Sequence, residues 1–124
     1  MVLKKSLFFV FRSVTNLKDL KTGMDAAITA AIFEQDVSII VLDRAVSLFE
    51  NINSTIPGSQ NSDFQQILDT VMSSSKFGIS QFIIDSSSLT SISSNIFIDN
   101  HYFKLMPIEK IRHLVHNANI IVNF

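Results

Sequence analysis

The stretch that most constrains this fold is Ala118-Asn119-Ile120-Ile121-Val122-Asn123-Phe124, the last seven residues. An apolar, β-branched run at a chain end frays unless a sheet ties it down, so the pattern predicts a buried strand. A helix stands immediately before it, Pro107-Ile108-Glu109-Lys110-Ile111-Arg112-His113-Leu114-Val115-His116. Pro107 suits the first helical turn, Glu109 lies near the positive end of the helix dipole, and His113 and His116 lie near the negative end. Ile108, Ile111, Leu114 and Val115 recur at helical spacing and form the packing face. A short helix feeding an apolar strand is half of a βαβ unit, which predicts a parallel sheet covered on both faces.

The same alternation runs upstream. Leu7 to Phe11 reads as a first strand, followed by a polar loop from Arg12 to Thr22 and a helix of small and apolar residues from Gly23 to Phe33. Glu34-Gln35-Asp36 makes a turn into a second strand, Val37 to Leu42, and Asp43 marks its end. Ala45 to Glu50 forms a short helix with Val46 and Phe49 inward. Asn51 to Asn61 is irregular, with Pro57-Gly58 as its turn. Ser62-Asp63-Phe64-Gln65 matches a capping box and opens a helix with Phe64, Ile67, Leu68, Val71 and Met72 on one face. Phe77-Gly78-Ile79 ends that helix in a glycine stop, and Gln81 to Ile84 is the third strand. A serine-rich passage, Asp85 to Asn95, precedes a weaker extended piece around Tyr102-Phe103-Lys104-Leu105. By spacing, Phe8, Phe9, Phe11, Phe33 and Phe49 belong to the core. With no repeat and no dividing linker, residues 1–124 form one domain. The expected architecture is α/β, a three-layer sandwich with a mostly parallel five-stranded sheet and helices on both faces.

A chain of 124 residues buries about two-thirds of its unfolded surface. Its hydrophobic fraction of 47% and mean hydropathy of +0.32 are high for a small monomer. A subunit contact would account for this, as would a dense α/β core. A net charge of −1 lacks the basic face that direct nucleic-acid binding needs. The apolar run after Lys4-Lys5 is too short for a signal peptide and is closed by Arg12, and no segment reaches membrane-span length. Zero cysteines mean no disulfide, no thiolate nucleophile and no thiolate metal site. These features predict a cytoplasmic protein without a membrane partner.

Ligands of open parallel sheets bind beyond the carboxyl ends of the strands. Here those ends carry Arg12-Ser13, Asp43-Arg44 and Asp85-Ser86-Ser87-Ser88. None has the glycines that turn backbone N–H groups toward a phosphate. Asp43 and Asp85 could form a Mg²⁺-binding carboxylate pair, yet Arg12-Ser13 stand where a receiver domain places acids, so ordinary strand-end aspartates fit better. His113 and His116 lie one turn apart but lack a third ligand at metal-site spacing, and His101 stands alone in a polar loop. Ser86, Ser87 and Ser88 lack the flanking glycines of a nucleophile elbow and suit loop capping. No metal, cofactor or catalytic residue is expected. Tyr102 and Phe103, in the weakest and edge-proximal strand, are the candidate partner surface.

Taken together, the blocks resemble the TusC/DsrF branch of the DsrE-like sulfur-relay proteins over nearly the whole chain. The resemblance runs through Phe9-Val10-Phe11, the Gly23-x-Asp25-Ala26 helix opening, Asp36-Val37, Asp43-x-Ala45-Val46-x-Leu48, Phe77-Gly78-Ile79 and the final strand. Arg44-Ala45 departs from a usual glycine, and Asn119 from a usual aspartate. The resemblance implies a DsrE/flavodoxin-like fold. In the catalytic relatives, TusD/DsrE, a cysteine at the end of the third strand carries persulfide sulfur. Its equivalent here is Ile84, with Asp85 next, and neither side chain can replace a thiolate. The implied role is a non-catalytic subunit, assembled with TusB-like and TusD-like chains in a heterohexamer with two copies of each. That assembly passes sulfur among other relay proteins toward 2-thiouridine at the tRNA wobble position. Two other readings stay open: a stand-alone flavodoxin-like module for a small anion at the Arg12, Asp43 and Asp85 rim, and an enzyme using Ser or Asp chemistry there.

Overall fold

The computed structural model describes residues 6–33, 36–53, 69–70, 73–88 and 103–124. The elements are β1 (Ser6–Phe11), α1 (Leu17–Ile32), β2 (Asp36–Val41), α2 (Arg44–Asn53), β3 (Ile79–Asp85), β4 (Phe103–Met106), α3 (Ile108–His116) and β5 (Ile120–Asn123). Short 3-10 turns flank β3 at Ser74–Phe77 and Ser86–Ser88. The five strands form one sheet in the order β4-β3-β2-β1-β5, and every neighbouring pair is parallel. The expected α/β architecture is therefore present, with the sheet wholly parallel.

Alternate residues of the strands feed two cores. Phe9, Phe11, Ile39, Val41, Phe82 and Ile84 pack on one face with Leu20, Met24 and Ala27 of α1 and with Ala45 and Val46 of α2. Phe8, Val10, Ile40, Leu42 and Ile83 pack on the other face beneath Ile111 of α3. Covering both faces is what makes the central strands continuous apolar runs, because neither set of side chains meets water. Gly78, at φ 103°, ends the first 3-10 turn in the left-handed conformation and starts β3, as the glycine stop predicts.

Helix α1 begins at Leu17, not at Gly23. Asn16 is the N-cap: its side-chain oxygen accepts from the Asp19 N–H at 2.9 Å, and its amide donates to the Asp19 carboxylate at 2.9 Å. Gly23 looks like a boundary by composition but lies inside the helix for a packing reason. A Cβ there would press on the Phe11 ring, 2.8 Å from Cζ, and stand 3.3 Å from Phe124 Cδ1. Those two rings stack with centroids 5.2 Å apart, so the missing side chain makes room for a buried aromatic pair.

Three expectations are corrected. Phe33 is 72% exposed rather than core, since α1 ends at Ile32 and Phe33 falls just past the last turn. The final strand is not buried: among the described residues β5 pairs with β1 alone, on the sheet edge, and Ile120 and Ile121 are 39% and 43% exposed. It is nonetheless tied down. Phe124 N–H donates to Val10 at 2.8 Å, and the Phe124 oxygen accepts from Arg12 N–H and Ser13 N–H at 2.9 Å each. The third correction concerns Phe103, which was expected on a partner surface. It is buried, its ring edge-on to Phe82 at 5.0 Å, because its strand register points it at the α1 face. Tyr102, His101, the side chain of Phe49, Pro57-Gly58 and the Ser62 capping box lie outside the described residues.

Candidate functional site

Because all strands run the same way, the carboxyl ends of β1, β2 and β3 form one rim. There Asp43 adopts φ 50°, unusual for a residue with a side chain, in the tight turn from β2 into α2. Its carboxylate meets Arg12 Nε at 3.5 Å, with both side chains more than half exposed. A solvated pair of this kind contributes at most about 1 kcal/mol.

Asp85 is different. It is buried, and its carboxylate accepts from the Ser87 N–H at 2.9 Å and from the Ser88 hydroxyl at 2.9 Å. These bonds form an Asx-type cap that turns the chain out of β3, so the carboxylate serves the backbone. Asp43 and Asp85 thus have separate partners, and the Ser88 proton is committed to the turn. Ile84, where the family resemblance would put a sulfur-carrying cysteine, is fully buried in the α1-side core.

His113 and His116 are both exposed on α3 but line different hollows. Among the described residues, no group of three His, Cys, Asp or Glu side chains is placed to hold a metal ion.

The hollow that His116 lines is the larger, about 730 Å³, and lies between α3 and the ends of β1 and β5. Buried Val10, Leu42 and Ile111 form its inner surface, and Val115 and Ile121 line it further out. The charged side chains around it are Arg12, Asp43 and Arg112. Sequence reasoning named Arg12 and Asp43 as rim residues and missed Arg112. The available signal was the spacing of Arg112 and His116, one turn apart beside the apolar stripe of α3.

No family model and no curated protein matches the chain. Among solved structures, it is similar to the crystal structure of the ychN protein from E. coli, with a TM-score of 0.64 at 13% sequence identity. The likeness covers 98% of this chain and 100% of that one. At that identity the comparison speaks to fold alone, and the fold it supports is a single-domain α/β sandwich around a parallel five-stranded sheet.

Proposed function

We propose that this chain is a non-catalytic subunit of a sulfur-relay complex required for 2-thiouridine formation at the tRNA wobble position. One observation supports the reading: the chain has no cysteine, and Ile84, where the resemblance would put the sulfur carrier, is sealed in the core. The adjacent Asp85 is spent on a turn. Such a subunit contributes surface. It holds a neighbour's reactive loop in place and keeps water from its persulfide, while the thiolate comes from a TusD-like chain. A TusB-like chain completes a cytoplasmic heterohexamer with two copies of each subunit, and this chain has no cofactor and no direct contact with tRNA. The exposed Ile32 and Phe77 leave apolar surface that a partner could cover.

Co-expression with TusB-like and TusD-like chains, followed by mass measurement of the intact complex, tests it. The expected species contains two copies of each chain. A protein that stays monomeric beside both partners, or that turns over persulfide unaided, overturns it.

A further inference from the structure

We infer that the hollow between α3 and the ends of β1 and β5 is a binding site for an amphiphilic organic anion. By that we mean an apolar ring or chain bearing a carboxylate, sulfonate or phosphate. The inference concerns a site apart from Ile84 and Asp85 and does not depend on the sulfur-relay reading.

Its volume of about 730 Å³ falls within the range of small-molecule pockets, and through Arg12, Asp43 and Asn123 it reaches the strand carboxyl ends, where open parallel sheets bind ligands. Ile108, Val115, Ala118 and Ile121 give it an accessible apolar wall over buried Val10, Leu42 and Ile111, which suits a ring or chain. The charge around it is unbalanced. Two guanidinium groups, Arg12 and Arg112, and one carboxylate, Asp43, line it. Asp43 already engages Arg12, and among the described residues Arg112 has no ion-pair partner. An acidic group in the hollow has two guanidinium groups on its walls, planar donors suited to carboxylate, sulfonate or phosphate oxygens. An uncharged ligand would fill the apolar part and leave those donors to water. The charge therefore selects an anion, and the floor selects an apolar body.

Titration of the full chain with anilinonaphthalene sulfonate, beside its uncharged relative phenylnaphthylamine, tests the site. The sulfonate is expected to bind one per chain and at least about tenfold more tightly than the neutral probe. Arg112→Ser is expected to weaken the sulfonate about tenfold and leave the neutral probe and thermal unfolding unchanged. Ile121→Ser, at an exposed edge position, should weaken both probes together. Equal affinity for the two probes, or no binding of either, overturns the inference. So does sulfonate binding that survives the Arg12→Ser, Arg112→Ser double variant unchanged, because the probe then lies on other apolar surface such as Ile32, Phe33 and Phe77.

Discussion

Ile84 and Asp85 are neighbours in sequence with opposite duties. Period-two alternation sends Ile84 into the α1-side core and leaves Asp85 to cap the turn that follows. A cysteine placed here by Ile84→Cys should therefore not be a reactive thiol. The thiol would be buried, and its alkylation is expected to be about a hundredfold or more slower than that of a free thiol, since reaction requires opening of the fold. Thiol labelling with and without urea measures this, and rapid labelling of the folded protein would contradict it. Gly23 poses the reverse question. Alanine is favoured over glycine within helices by about 1 kcal/mol, yet overpacking a core costs about 1–3 kcal/mol. Phe11 is fully buried and held by Phe124, so its ring has little room to yield. Gly23→Ala is expected to destabilise by about 1 kcal/mol in urea unfolding, and a stabilised variant would show that the ring moves aside.

At the level of elements, helix α1 shows how a cap can hide a beginning. A reading that treated Arg12 to Thr22 as one polar loop stopped at Gly23, while the Asn16–Asp19 pair starts the helix at Leu17. Asn16→Ala removes one acceptor from the orphan N–H groups of the first turn, an expected loss of about 1 kcal/mol. Thermal unfolding checks the size, and a neutral result would mean that water or a neighbour replaces the cap. Helix α3 was legible from its periodicity alone, because one apolar stripe at helical spacing needs no knowledge of what it covers. Its Ile111 is almost wholly buried against Phe8, Val10, Ile40 and Ile83. The strand pieces were equally plain. Their positions in the sheet were not.

For the whole molecule, the strand order β4-β3-β2-β1-β5 makes α3 cross from one sheet edge to the other, and this decides what is exposed. Phe124 directs both its N–H and its oxygen toward β1. By alternation, Val122 does the same, and Ile121 and Asn123 turn theirs to the free edge. Hydrogen exchange should accordingly find the slowest amides in β1, β2 and β3. Within β5, Val122 and Phe124 should be protected and Ile121 and Asn123 should exchange quickly. Uniform protection along β5 in the isolated chain would mean that another strand covers the edge. The same crossover brings Arg112 of α3 to the hollow that Arg12 lines at the end of β1, and so builds it from residues far apart in sequence.

Local pattern was enough for the α/β class, the five strand segments, the closing helix and the absence of any thiolate, because periodicity and composition act over a few residues. Tertiary structure alone decided that β5 is an edge, that Phe103 points inward and Phe33 outward, and that Arg12 and Arg112 line one hollow. Each of these depends on which distant segments become neighbours. Burial is a property of what lies opposite a side chain, and that is settled only when the crossovers set the order of the strands.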